Sequence, residues 1–206
     1  MLALFLIVVV DLIGFGIIIP LLPFYGEHFQ ADPQTVGLLM ASYSLAQFIS
    51  APIWGRMSDR AGRRPVLLMS LAGAALAYLW LAFADSLWML FAARLLGGLM
   101  AGNISAAFAY MADITTKENR AKGMGLIGAA FGIGFILGPA IGGILAGSDP
   151  TTADFRNPAL AAAGLSLLAL VLGIFRLPES LSADVRARAA ALATPRPPTA
   201  APKAHR

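Results

Sequence analysis

Apolar residues along this chain gather into six long runs separated by short polar connections: Leu2–Phe24, Val36–Trp54, Val66–Phe83, Trp88–Ala112, Met124–Ala146 and Pro158–Phe175. Each run approaches the ~20 apolar residues that a helix needs to cross a hydrocarbon core about 30 Å thick. The pattern predicts an all-α, polytopic membrane protein. Its six transmembrane helices should run antiparallel to their sequence neighbours, because the connections are short. The first run is read as a spanning helix and not as a signal peptide: it has no basic start, is too long and lacks a small-residue cleavage site. Residues 1–179 form the expected transmembrane bundle. Residues 180–206 form a Pro/Ala/Arg-rich cytoplasmic tail, mostly disordered, with room for a short helix between Asp184 and Leu192. The run Thr194-Pro-Arg-Pro-Pro-Thr cannot continue a helix, since proline lacks the amide donor and clashes with the preceding turn.

Composition sharpens the class. Of 206 residues, 58% are hydrophobic and 13% charged, against about 25% charged in soluble domains. Mean hydropathy is +0.75. A soluble enzyme or a nucleic-acid-binding domain is excluded on this basis. There is no cysteine, and the two histidines, His28 and His205, lie far apart. No catalytic residue, metal site or cofactor is therefore expected. The net charge of +4 comes from topology. Arg56, Arg60, Arg63 and Arg64 follow the second run, Lys117, Arg120 and Lys122 follow the fourth, and Arg176 and the basic tail follow the sixth. The other side carries Glu27, Asp32, Asp85, Asp149 and Asp154 against Arg156 alone. The positive-inside rule places both termini and both basic loops in the cytoplasm.

Two charged residues interrupt the apolar runs, Asp11 in the first and Arg94 in the fourth. An intramembrane charge costs about 2.5–3.5 kcal/mol on insertion scales, so each needs a partner or water. At about 1.5 Å per residue, Arg94 lies about 12 Å farther from the cytoplasmic end than Asp11. Two sites facing one aqueous cavity are expected, with a buried pair that only fixes packing as the alternative. Tyr43, Gln47 and Ser50 share one helix face in the second run. With Asn103 and Ser105 in the fourth, they either line a substrate path or make interhelical hydrogen bonds. In the fifth run Ala130, Gly134, Gly138, Gly142 and Ala146 repeat every four residues, a stripe that lets another helix approach closely. Pro139 is expected to kink that helix, which reads either as a packing seam or as a flexing gate. Between the second and third runs, Gly55 and Gly62 bracket Ser58, Asp59 and Arg60, followed by Arg63, Arg64 and Pro65. The glycines predict a tight turn and the aspartate a small ion-pair network.

That connection closely resembles the signature loop of the major facilitator superfamily. Asp11-Leu-Ile-Gly14 with Pro20-Leu-Leu-Pro23 resembles the first-helix signature of its drug–proton antiporters, and Arg94-Leu-Leu-Gly-Gly98 resembles the fourth-helix arginine motif. The stretch from Gly134 to Gly143, through Gly138, Pro139 and Gly142, is similar to the fifth-helix antiporter motif. Leu177-Pro-Glu-Ser180 is similar to the usual end of the sixth helix. Within the superfamily the chain looks most like bacterial tetracycline–proton antiporters. The resemblance implies that Asp11 and Arg94 serve proton coupling, that Asp59 and the loop arginines form a cytoplasmic latch with Asp113 as ion-pair partner, and that the fifth helix is a gate. It implies a bacterial inner-membrane protein, driven by the proton gradient without a cofactor, that exports a small molecule such as a cationic drug. Members have two six-helix halves with the substrate site between them. This sequence matches one half, so a second six-helix unit or a second copy is expected, a truncated form being favoured over a self-assembling one. A non-transporting or partner-binding membrane module and a solute importer of the same superfamily are the competing functions.

Overall fold

The structure is a computed structural model that describes residues 1–147 and 154–181. Asp149 and the tail from residue 182, with the expected helix at Asp184–Leu192, lie outside the described residues. All regular elements among the described residues are helical, and they make six spans long and apolar enough to cross a membrane. The first span joins α1 (Leu2–Ile18), a 3₁₀ turn (Ile19–Leu21) and α2 (Leu22–His28). The second is α3 (Pro33–Ala61) and the third α4 (Arg63–Ala82). The fourth joins α5 (Leu87–Leu99) and α6 (Asn103–Asp113), the fifth is α7 (Arg120–Ala146) and the sixth α8 (Arg156–Arg176).

Most helices outrun the apolar stretches that announced them, because polar residues outside the hydrocarbon core can still be helical. α3 begins where the Asp32 carboxylate accepts the Thr35 amide at 2.7 Å, a cap that holds this acid below its usual pKa, and Pro33 supplies a preset first-turn φ. At its other end the expected turn between Gly55 and Pro65 shrinks to one residue. Gly55 lies inside α3 with open space beside its Cα, and Gly62 alone makes the corner, at φ 110°. Nothing between Gly55 and Gly62 breaks a helix, and only a residue without Cβ adopts that φ at low cost.

Two spans are interrupted where the sequence suggested continuity. Pro20 and Pro23 withdraw two amides from the first span, and the chain tightens into the 3₁₀ turn there. The fourth span breaks at Met100–Gly102, between a glycine pair and Gly102. Ser70 of α4 repairs the break. Its Oγ accepts the amides of Gly102 (2.9 Å) and Asn103 (2.8 Å) and donates to the Met100 carbonyl. A backbone group freed inside a membrane has no water to turn to, so such a side chain is a requirement of the break. α7, by contrast, runs unbroken through Pro139.

α1 is the central helix, lying between α7 and α8, while α4 packs on α8, α5 and α6, and α3 packs on α5. The α1–α7 seam is built from absent side chains. A Cβ on Gly138 would stand 2.5 Å from the Gly16 carbonyl carbon, and one on Gly142 would stand 2.7 Å from the Ile17 oxygen. The predicted stripe (Ala130, Gly134, Gly138, Gly142 and Ala146) is buried throughout. Gly132 and Gly143, on the opposite side of α7, have open space around them. One end of the bundle is closed by Tyr25, which donates to the Leu81 (3.0 Å) and Ala84 (3.2 Å) carbonyls and stacks on Phe155. Phe48, Ile53, Trp88, Ile136 and Ile144 form part of an exposed apolar exterior.

Two substitutions test this packing. Ser70→Ala orphans the buried amide of Gly102 and the part-buried amide of Asn103, a buried one being worth about 1–3 kcal/mol, and should lower the thermal unfolding midpoint in detergent by several degrees. Gly138→Leu should lower it further, because Leu there meets backbone and cannot be absorbed by repacking. Gly132→Leu, which meets open space, should leave it within a degree. An unfolding series of the three variants, read by circular dichroism, checks both expectations.

Candidate transport cavity

The spans enclose a cavity of about 240 Å³ reached by side chains from α1, α3, α4, α5, α6 and α7. Its polar lining includes Asp11, Arg94, Tyr43, Gln47 and Asn103. Asp11, Arg94, Tyr43, Gln47 and Asn103 thus border one space, whereas Ser50 and Ser105 are not part of its lining. Its apolar lining includes Leu12, Phe15, Tyr78 and Phe131. Phe15 packs on Tyr43 with ring centroids 5.3 Å apart, and on Phe135 at 6.3 Å. The volume falls below the about 300–1,000 Å³ typical of small-molecule sites. A space of this size is smaller than a drug-sized molecule needs.

Asp11 and Arg94 are both buried, at 5% and 6% exposure. The six-helix unit itself covers them, so their shielding does not await a second unit. No ion pair joins them among the described residues. Asp11 instead takes a hydrogen bond from Asn103 Nδ2 and one of 3.3 Å from Ser166 Oγ. Asn103 opens α6 immediately after the repaired break, so Ser70 positions it at one remove. Arg94 lies on α5, before the break, with its guanidinium 4.4 Å from the centroid of the Tyr43 ring. Gly98, one turn further along α5, lies against the Tyr43 carbonyl and brings α3 and α5 together.

The remaining polar candidates divide. Ser50 donates to the Gln47 and Gly98 carbonyls, each at 3.2 Å, and so stitches α3 to α5. Ser105 donates only to the nearby Gly102 carbonyl. Reasoning from the sequence missed Ser70, Tyr78 and Ser166, which hold or line the cavity. A signal for them existed: Ser70 and Tyr78 are the polar side chains of the third apolar run, and Ser166 is the polar residue of the sixth. A lone serine hydroxyl in an apolar run is costly without a partner, and Ser70 and Ser166 each have one.

The second cluster lies at the bundle end that carries the basic connections. Arg63 is its hub, with Nη1 2.6 Å from Asp59 Oδ1 and 3.1 Å from Ser58 Oγ, and Nε 3.1 Å from Asp113 Oδ2. The network expected around Asp59 thus runs through Arg63, while Arg64 Nη2 donates to the Ile174 carbonyl and Arg56 and Arg60 are exposed. Pro65 sits in the first turn of α4. Glu179, another residue given no role beforehand, accepts the amides of Arg63 (2.9 Å), Arg64 (3.3 Å) and Leu181 (3.0 Å), capping α4 with a carboxylate from beyond α8. An anion at a helix N-terminus is favourable. Tyr110 donates to the Pro178 carbonyl at 2.7 Å and completes the join. Among the described residues, no group of three or more His, Asp or Glu side chains is placed to hold a metal ion.

Known proteins share this architecture. The profile described as Major Facilitator Superfamily matches residues 4–204. The chain is 41% identical over 182 residues to the tetracycline resistance protein, class C, of Escherichia coli, a match covering 87% of this chain and 45% of that protein. Identity is 36% over 178 residues to multidrug resistance protein 2 of Bacillus subtilis, covering 86% of this chain and 43% of the relative. The human organic anion transporter MFSD10 (TETRAN) superposes with a TM-score of 0.78 at 30% identity, over 89% of this chain and 48% of that one. A peptide transporter, POT, superposes at 0.75 with 18% identity, a likeness of fold alone. The chain spans less than half the length of the curated relatives it matches. Six spans around a polar cavity, the stitched basic end and a profile match over nearly the whole sequence lead to one assignment: this chain is a multi-pass membrane protein that belongs to the Major Facilitator Superfamily.

Proposed function

We propose that this chain forms the N-terminal half of a proton-coupled efflux transporter in a bacterial inner membrane, exporting small molecules of the kind named by its tetracycline-resistance relatives. One observation carries the reading. A carboxylate and a guanidinium, Asp11 and Arg94, share a single aromatic-walled cavity inside the bundle without being paired to each other. A buried pair serving packing alone would be joined. Charged groups kept separate around a cavity can each meet a proton or a substrate. Asp11 is the protonatable group of the cavity, and Asn103 and Ser166 hold it in place in either protonation state. Arg94 keeps its charge throughout. Relatives named for resistance to tetracycline and to multiple drugs support export as the direction.

The remainder of the site comes from a second six-helix unit. The cavity alone is too small for a whole drug, and much of α3 and α7 presents apolar side chains or bare glycine outward. The cluster of Arg63, Asp59, Asp113 and Glu179 acts as the cytoplasmic latch, fixing the ends of four spans to one another. The α1–α7 seam lets the gate helix move with α1 as one body.

Two measurements test the proposal. Asp11→Asn preserves size and one acceptor oxygen but cannot titrate. In the protein with both halves assembled it should insert normally and reduce proton-driven efflux to the level of empty vesicles, whereas normal efflux from a normally expressed variant would refute the role of Asp11. Orientation is read by cysteine labelling, which is clean because the chain has no cysteine. Ser58 is a poor reporter, being 2% exposed. Arg60→Cys and Asp85→Cys are the useful pair, both positions being exposed at opposite ends. An impermeant maleimide applied to intact cells should label position 85 and spare position 60.

A further inference from the structure

Among the described residues, Arg94 is the intramembrane charge that the bundle encloses without a hydrogen-bond or ion-pair partner. Asp11 has Asn103 and Ser166. At the basic end Arg63 has two carboxylates, and Arg64 has the Ile174 carbonyl. Arg94 is only 6% exposed, yet among the described residues it makes no ion pair and no hydrogen bond, and its Nε is buried with nothing to donate to. Its guanidinium lies over the face of Tyr43. A cation–π contact offsets only part of the cost of taking a guanidinium out of water. The unused donors belong to a residue that lines the cavity.

The surroundings specify what would complete it. A guanidinium is a planar fork of donors that matches an oxyanion through two parallel hydrogen bonds. The ring of Tyr43 lies beside it, and Phe15 and Tyr78 line the same space, so planar aromatic surface is available next to the fork. The single acid of the cavity is anchored by its own partners on α6 and α8 and does not neutralise Arg94. We propose that Arg94 is an anion-binding residue, and that ligands of this half-site carry a planar oxyanion, a carboxylate or enolate, attached to an aromatic ring. Such a ligand is an anion or a zwitterion. A purely cationic drug would leave the fork empty. The proposal rests on the transport reading for its physiological meaning, but binding can be measured without transport.

The test uses the six-span chain in lipid nanodiscs and three probes of one shape: 2-naphthoate, its neutral isostere 2-naphthamide and the cation 2-naphthylmethylammonium. Equilibrium dialysis against empty nanodiscs removes partition into lipid. Binding of 2-naphthoate should be at least tenfold tighter than that of either other probe. Arg94→Gln should bring the naphthoate and naphthamide constants within twofold of each other. Arg94→Lys, which keeps the charge and loses the fork, should weaken naphthoate several-fold and leave naphthamide unchanged, so a conclusion remains even where Arg94→Gln fails to fold. Equal affinity for the three probes, saturable binding of none, or a naphthoate preference that survives both variants would overturn the proposal. Tetracycline transport by the assembled two-half protein is scored separately. If transport fails while the naphthoate preference holds, the efflux reading falls and the anion site stands; if transport is intact and the preference absent, only the anion site falls.

Discussion

Inside a bilayer an unpaired backbone amide has no water to accept it, and the break in the fourth span turns that constraint into a site. Ending α5 at Leu99 and restarting at Asn103 frees amides in an apolar setting, and Ser70 of the third span collects two of them. Because α6 starts there, Asn103 faces Asp11 across the bundle, with Ser166 completing the carboxylate's partners. Four spans are thereby tied through side chains that would each be costly alone in hydrocarbon. Arg94, on the other side of the break, belongs to α5 and follows that helix instead, which keeps the two charges apart.

Close backbone approach is the second condition. Gly16 and Gly138 stand where neither tolerates a Cβ, and Gly98 repeats the arrangement between α5 and α3. No hydrophobic force drives helices together in lipid, so short interaxial distance and the dispersion it permits have to serve. That explains why the small-residue stripe on α7 turns toward α1 while Gly132 and Gly143 remain in the open. Side chains large enough to fill a seam would hold the helices away from the polar network that requires them near.

Much of this was legible from the chain, and for physical reasons. Bilayer thickness fixes the length of an apolar run, so all six spans could be placed. The cost of an intramembrane charge singled out Asp11 and Arg94, and a four-residue period exposed the glycine seam. The breaks could not be read, because hydropathy is blind to whether a run is one helix or two; Met100–Gly102 is as apolar as its neighbours, and its repair comes from Ser70, thirty-odd positions earlier. The turn between Gly55 and Pro65 was overestimated for a related reason. Polarity marks the end of the hydrocarbon, not the end of the helix, and α3 continues to Ala61. Glu179 was invisible in the sequence, since a carboxylate that caps a helix more than a hundred residues away leaves no local pattern.

The two charged clusters differ in a way that bears on mechanism. At the basic end Arg63 engages two carboxylates and Ser58 through Nε and Nη1, Glu179 caps the start of α4, and Tyr110 holds the segment that carries Glu179. Such a network is stable because its charges cancel at close range, and it behaves as a frame. In the cavity the balance is left incomplete: one carboxylate is satisfied by neutral donors and one guanidinium is satisfied by none. A ligand can shift an equilibrium only by interacting differently with its states, and a pre-neutralised site offers little to distinguish them. Compensated charge at the rim and uncompensated charge at the centre therefore divide the bundle: the rim is a frame, and under the proposed function the centre is where proton and ligand would be felt.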